Sequence, residues 1–235
     1  MRECDLPKEL ATLIGCDYSA VAGQRDDKLL RSMLKRAHKM GAENGFATVI
    51  IECSEDNFAW LRERAELKRN TPEYRQRILH QTSDGKQVLD TLISERKLDR
   101  GFETAVSFEP SVENAISPLV ECFHLDGTPK DVMLAYIPTK KPYEALSWFP
   151  PFTDIVSESE MLAIMRWWYE CYGAVPTMVG CNYIELSARK LSYDEALWVA
   201  TEQYALAPNI VDEGVGSISA LADTLMRSDT WLLWW

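Results

Sequence analysis

Apolar side chains recur at helical spacing in the first part of the chain. Between residues 27 and 40 they lie three and four positions apart, which predicts an amphipathic helix that ends near Gly41 and Gly45. The run 46–51 that follows is apolar and rich in β-branched residues, a composition typical of a buried strand. This part of the chain is therefore predicted to contain a helix followed by a strand.

The middle of the chain alternates between charged helical patterns and short breaks. Segment 57–100 is dense in charge and is interrupted at Pro72 and Gly85, so two or three helices are predicted there. The apolar run 132–137 predicts a second buried strand. Four prolines then fall within residues 138–151. Because proline fixes φ and has no backbone N–H, they predict an ordered, non-helical loop.

Reciprocal caps mark two helix starts in the C-terminal part. In 157–160 and again in 192–195, a serine precedes a glutamate by three residues, which predicts helices that continue to Gly173 and Pro208. In 182–187, apolar and polar residues alternate as in a half-exposed strand. The other elements predicted in this part are strands at 175–179 and 231–235 and a short helix at 218–225.

Together these elements predict an α/β (α+β) fold in which helices flank a mixed β-sheet. Residues 1–130 are predicted to be a helix-rich N-terminal part with one buried strand, and residues 131–235 an α/β C-terminal domain. The two parts either fold separately or pack as a single domain. The proline-rich loop is the clearest boundary signal in the sequence.

The charge of the chain is distributed unevenly. Residues 1–100 carry 17 acidic and 18 basic side chains, whereas residues 101–235 carry 19 acidic and 7 basic ones, which accounts for the formal net charge of -11. A negative field repels phosphate backbones and anionic lipids, so we expect no nucleic-acid and no membrane partner. Within 62–77, six basic side chains interleave with glutamates; a solvated helical face and a phosphate-binding role are the alternatives.

Size and composition indicate a folded protein of the cytoplasm. With 235 residues and 46% hydrophobic residues, the chain can bury a core without disulfides. No apolar run reaches the roughly 18 residues that cross a bilayer. Residues 1–10 carry acids and Pro7 and do not look like a signal peptide. We therefore expect cytoplasmic localisation, with the six cysteines as free thiols.

The C-terminal part carries a series of tryptophans in a recognisable order. The series and its neighbours are Trp167-Trp168, Tyr172-Gly173-Ala174, Glu195-Ala196, Leu221-Ala222, Trp231 and Trp234-Trp235. Over about residues 130–235 this order resembles the bacterial family catalogued as domain of unknown function 4253. At polar positions where that family often has Arg-Pro and Cys-Pro-Asp, this chain has Arg189-Lys190 and 207–209 (Ala-Pro-Asn). The resemblance implies a shared fold unit and no particular activity.

Metal and thiol chemistry have little support in the sequence. Cys122 and His124 are two residues apart, but the spacings common in four-ligand zinc sites are absent. The same cysteine lacks the surrounding pattern of a catalytic nucleophile. We therefore expect no metal and no cofactor.

A pair of glutamates is the one acid–base constellation that the pattern suggests. Glu202 shares a helical face with Trp198 and Leu206, and Glu185 on the alternating strand could approach it. If so, the two would act as acid and base of a small-molecule hydrolase in a tryptophan-lined pocket. The alternative is that Glu202 pairs with a basic group such as Arg189.

The leading functional hypothesis is an acidic, cytoplasmic protein-binding module that is not an enzyme. Opposite charge accelerates capture of a basic protein, and a nuclease-like bacterial toxin is such a protein, so an immunity role is one specific form of the hypothesis. A homodimer is a further alternative. The terminal tryptophans are either buried between layers or exposed as a patch. The predicted partner-binding residues are Asp212, Glu213, Glu158, Glu160, Trp231, Trp234 and Trp235.

Overall fold

The computed structural model describes residues 5–21, 27–81, 83–98, 119–124 and 126–235. The chain forms two compact units. The first comprises Met1–Gln81, Leu119–Phe152 and Pro176–Cys181, and the second comprises Thr82–Pro118, Thr153–Val175 and Asn182–Trp235. Each unit is thus assembled from separate stretches of chain. The predicted division after residue 130 stays a prediction.

The first unit combines a sheet with helices from the N-terminal part. Its elements in chain order are α1 (Leu6–Ile14), β1 (Asp17–Val21), α2 (Asp27–Asn44), β2 (Ala47–Glu52), α3 (Glu55–Glu66), α4 (Pro72–Leu79), a 3-10 turn (Val120–Cys122), β3 (Val132–Ile137), a 3-10 helix (Pro142–Trp148) and β4 (Val175–Gly180).

The sheet of the first unit is mixed. Its strand order is β1-β3-β2-β4, with β3 antiparallel to both of its neighbours and β2 parallel to β4. Leu134 of β3 lies opposite Ser19 of β1 and Ile50 of β2, and Ile50 also lies beside Met178 of β4. β2 and β3 are buried almost throughout, as expected for strands covered on both faces. The predicted mixed sheet flanked by helices is confirmed.

Basic side chains in the predicted charged stretch turn inward in this unit. Arg64 of α3 is buried and donates hydrogen bonds to the backbone carbonyls of Phe149 and of Ser147, the latter at 2.7 Å. Arg75 of α4 is half-buried and its guanidinium lies 4.7 Å from the ring centroid of Trp148. The stretch is therefore only partly a solvated face, because these two arginines hold segment 147–149 against the helices.

The second unit contains the remaining helices and two strands. Its elements are α5 (Gly85–Glu95), α6 (Glu158–Tyr172), β5 (Tyr183–Ser187), α7 (Tyr193–Leu206), a π-helical segment (Ile210–Val215), α8 (Ile218–Arg227) and β6 (Thr230–Trp234).

Close helix packing and one antiparallel strand pair organise the second unit. A methyl group at Gly85 of α5 would lie only 2.1 Å from the carbonyl oxygen of Ala163 in α6, so glycine is required for this approach. α7 packs against both α5 and α8. β5 pairs with β6 so that Glu185 lies opposite Leu232. The unit consequently combines packed helices with a short pair of antiparallel strands that are distant in sequence.

Both predicted capping signatures are present. The backbone N–H of Ser157 donates to Glu160 Oε2 at 2.8 Å, and that of Ser192 donates to Glu195 Oε2 at 2.9 Å. Two expectations differ from the structure. The proline-rich loop contains a 3-10 helix, which the fixed φ of proline accommodates at its first position. β5 is buried on both faces apart from its last residue, so the prediction that 182–187 is a half-exposed strand is wrong.

Candidate functional site

The centre of the second unit contains a buried carboxylate. Glu202 of α7 is 3% exposed, and its Oε2 accepts a 2.8 Å hydrogen bond from the indole N–H of Trp168 in α6. The ring of Trp168 meets that of Trp231 edge-on at 87°, with the centroids 5.8 Å apart. The predicted alternative partner, Arg189, instead binds Glu195, with Nη2 2.6 Å from Oε1. Glu202 is therefore tied to an indole within an aromatic core.

The charge of Glu202 affects neighbouring acidic groups. Burial and the nearby Glu202 raise the pKa of Tyr172 to about 12. The same two causes, burial first, raise the pKa of Cys171. Forming an anion next to an existing carboxylate is unfavourable, so both groups stay protonated at neutral pH. The surroundings of Glu202 thus suppress rather than activate nucleophiles.

Glu185, the second predicted acid–base residue, is more deeply buried. It lies in β5, is 1% exposed, and belongs to the same unit as Glu202. A general acid or base must come within hydrogen-bonding distance of its substrate. In this conformation neither carboxylate faces solvent, from which a substrate would arrive. The hydrolase alternative stays a prediction, and no observation on these residues favours it.

The predicted acidic contact residues fall into two classes. Glu158 and Glu160 lie in the first turn of α6, where carboxylates stabilise the helix N-terminus, and both are half-buried. Asp212 and Glu213 lie in the π-helical segment and are exposed. The hydroxyl of Tyr204 donates to Asp212 Oδ1 at 3.0 Å and thereby links this segment to α7. Only the second pair presents its carboxylates openly to solvent.

The terminal tryptophans mostly support the core. Trp231 is fully buried, which makes it part of the core and removes it from any contact surface in this conformation. A methyl group at Gly214 would lie 2.8 Å from the ring of the half-buried Trp234. The indole N–H of Trp235, also half-buried, donates to the carbonyl of Leu206 at 2.9 Å. Trp234 and Trp235 therefore hold β6 against the preceding elements and expose only part of their rings.

The structure exposes Tyr193 and Asp194, which the sequence interpretation did not single out, and Trp198, which it placed on one helical face with the buried Glu202. Tyr193 and Trp198 of α7 are 52% and 47% exposed, and Asp194 between them is also exposed. Helical spacing gave no signal for this exposure, because Asp194, Trp198 and the buried Glu202 follow one another at four-residue intervals. Three exposed acids and two exposed aromatic residues of this unit are treated together below. We call these five the acidic surface residues: Tyr193, Asp194, Trp198, Asp212 and Glu213.

The chain segments that carry these residues contain more acidic than basic side chains. Segments 153–175 and 182–235 hold twelve acidic and four basic side chains. Three of the four basic side chains form ion pairs inside the same segments, namely Arg166 with Glu170, Arg189 with Glu195, and Arg227 with Asp223. The acidic surface residues therefore belong to chain segments with a marked excess of acidic side chains.

Other predicted chemistry can be placed as well. Cys122 is buried, with its sulfur 3.5 Å from that of Met178, and His124 is exposed. The described residues contain no group of three or more His, Cys, Asp or Glu side chains that could hold a metal ion. The five cysteines in the described ranges form no disulfide, and Cys4 lies outside these ranges. No helix among the described residues is long and apolar enough to cross a membrane.

The C-terminal part matches a known family. Residues 133–235 match the model of the family described as domain of unknown function (DUF4253), which confirms the resemblance drawn from the order of the tryptophans. The matched segment includes Glu202, Trp168 and all of the acidic surface residues. The family description assigns no activity. Neither the curated proteins nor the solved structures compared with the chain gave a match.

Proposed function

We propose that this protein is a cytoplasmic binding module whose second unit captures a basic protein through the acidic surface residues. The observation that carries the proposal is the charge of segments 153–175 and 182–235 of the second unit, where twelve acidic side chains outnumber four basic ones and three of the four basic ones are already paired. The exposed carboxylates remain available to a partner.

The physics of association fits this arrangement. Opposite electrostatic fields accelerate the encounter of two proteins, and exposed aromatic rings supply the apolar contact area that holds the complex. Trp198 and Tyr193 provide such rings beside Asp194. Charge therefore governs the association rate, and the aromatic side chains slow dissociation.

A more specific form of the proposal is an immunity function. A nuclease-like toxin must be basic to hold phosphates, and an acidic protein that covers its substrate channel would inhibit it. The buried, indole-bound Glu202 supports binding rather than catalysis as the role of this unit, because its carboxylate is held inside the core.

Affinity capture with a charge-reversal variant tests the proposal. The immobilised protein is exposed to lysate of its source organism at low and at physiological salt, and Asp212→Lys/Glu213→Lys is compared with the parent chain. We expect one basic protein to be retained at both salt concentrations and to lose at least tenfold in affinity for the variant. Inhibition of that protein's nuclease activity by the parent chain would establish the immunity role.

The control keeps the same change of net charge but places it elsewhere. Glu43→Lys/Glu63→Lys alters two exposed carboxylates of the first unit and should leave capture unchanged. Failure to retain any basic protein at either salt concentration would refute the proposal. Equal loss with both double variants would refute the assignment to the acidic surface residues. Light scattering of the free protein separates these results from the homodimer alternative.

A further inference from the structure

The first unit contains an open cavity distant in sequence from the acidic surface residues. It has a volume of about 460 Å³ and lies where the C-terminal half of α1, the start of β1 and the end of β3 come together. This volume is in the range of pockets that hold small molecules. Its chemically distinctive lining residues are Lys8, Thr12, Cys16, Asp17, Tyr18 and Tyr136.

Opposite charges line the same cavity without neutralising each other. Lys8 lies in the first half of α1, whereas Asp17 follows the end of that helix. In the described part of the chain, neither side chain forms an ion pair. The C-terminal end of a helix also carries a partial negative charge. One side of the cavity therefore favours a cation, and the Lys8 side favours an anion.

Two tyrosines, Tyr18 and Tyr136, also line the cavity. The hydroxyl of Tyr136 donates to Ser19 Oγ at 2.9 Å, and its ring meets Phe46 edge-on with the centroids 5.3 Å apart, so this ring is held in place. Tyrosine faces accept apolar groups and attract ammonium groups. Cys16 adds no charge, because burial raises the pKa of its thiol to about 12.

We propose that this cavity binds a small zwitterion, either a free amino acid or a dipeptide with an apolar side chain. The ammonium group lies towards Asp17 and the C-terminal end of α1, the carboxylate towards Lys8, and the side chain against Tyr18 and Tyr136. A ligand with only one charge leaves the opposite residue of the cavity unmatched. This site lies in the first unit and does not depend on the proposed partner binding.

Titration calorimetry with four related probes tests the charge pattern. Phenylalanine and the dipeptide Gly-Phe carry both charges, phenylalaninamide lacks the carboxylate, and N-acetylphenylalanine lacks the ammonium group. We expect at least one of the two zwitterions to bind about tenfold more tightly than either singly charged probe. The tighter of the two zwitterions identifies a free amino acid or a peptide as the ligand class.

Two variants assign each charge to its residue. Lys8→Gln should abolish the preference for the tighter zwitterion over phenylalaninamide, and Asp17→Asn should abolish its preference over N-acetylphenylalanine. Lys35→Gln and Asp56→Asn change exposed residues outside the cavity and should preserve both preferences. Absence of zwitterion binding at millimolar concentration would overturn the proposal. The proposal would also be overturned if the binding preferences survived in Lys8→Gln and Asp17→Asn. Equal loss of these preferences in the controls Lys35→Gln and Asp56→Asn would overturn it as well.

Discussion

Each unit buries a charged side chain, but the two charges are stabilised differently. In the first unit, the guanidinium of Arg64 donates to two backbone carbonyls, those of Phe149 and Ser147. In the second unit, the carboxylate of Glu202 accepts from the indole of Trp168. The cation is held by the main chain of a distant segment, and the anion by a side chain of a neighbouring helix.

The difference shows two ways in which a buried charged side chain can stabilise a fold. A charge inside a protein is costly unless hydrogen bonds replace its water. Arg64 obtains these bonds from carbonyls that would otherwise need partners of their own, so cation and carbonyls depend on each other. Glu202 accepts a hydrogen bond from Trp168, whose indole packs against that of Trp231. Variants of each residue should separate these two modes of stabilisation.

The largest effect is expected at Arg64. Arg64→Met retains much of the aliphatic volume but leaves the carbonyls of Phe149 and Ser147 without these donors. We expect the free energy of unfolding to fall by about 3 kcal/mol, as measured by urea denaturation. Arg62→Met, on the exposed side of the same helix, should change it by less than about 0.5 kcal/mol. Equal effects of the two variants would contradict the structural role of Arg64.

Removal of the indole donor should have the next largest effect. Trp168→Phe keeps an aromatic ring but leaves Glu202 without this hydrogen bond, so we expect a loss of about 2 kcal/mol in unfolding free energy. The matched control is Trp198→Phe, which changes a half-exposed indole on α7. If Glu202→Gln is combined with Trp168→Phe, the loss should be smaller than the sum of the two single losses. Strict additivity would mean that the two residues are not coupled.

The titration of Tyr172 tests whether the buried carboxyl group of Glu202 is ionised. The nearby carboxylate of Glu202 contributes, after burial, to raising the pKa of Tyr172 to about 12. Glu202→Gln should therefore lower this pKa towards its usual value near 10. Tyrosinate absorbance is measured against pH for the protein with and without Glu202→Gln. In each case the titration of the same chain carrying Tyr172→Phe is subtracted, which leaves the signal of Tyr172. An unchanged titration would show that Glu202 carries no charge near Tyr172 in the folded protein.

The smallest effect concerns Glu195, a half-buried carboxylate in the first turn of α7. Hydrogen bonds from Arg189 and Ser192 hold the pKa of Glu195 at about 2. Because the folded pKa is depressed, the stabilisation is present above about pH 4.5 and is lost as the pH falls towards 2. The carboxylate is partly exposed, and solvent screens its interactions, so the loss is small. Carbon-detected NMR titration should show the depressed pKa, and Arg189→Gln should raise it.

The sequence predicted regular elements better than the roles of single side chains. The strand at 132–137 was predicted with the bounds found, because a fully buried strand is a continuous apolar run. By contrast, α1 and β1 were not predicted. β1 is only partly buried and lacks a clear alternation, and α1 is a short helix of nine residues. The π-helical segment also went unpredicted, because Asp212, Glu213 and Gly214 have the composition of a turn.

The candidate site shows the same limit. Arg64 and its exposed neighbours look alike in sequence, since its burial depends on residues more than eighty positions away. The indole partner of Glu202 is likewise set by the packing of α6 against the rest of its unit, which helical periodicity does not specify. Exposed acids such as Asp212 and Glu213 were easier to predict, because solvent exposure follows from polar composition.

The segment that matches the family is not expected to fold on its own, because β3 lies between two strands that precede the segment. The matched segment begins at residue 133, within β3, whereas β1 and β2, which flank that strand on its two edges, precede it. In a fragment of residues 133–235, both edges of β3 would lack their partner strands β1 and β2. β4 would lack its pairing with β2. Such open edges invite pairing between molecules. Expression of this fragment should therefore yield aggregates, and soluble recovery should require the N-terminal strands, supplied in the same chain or added in trans.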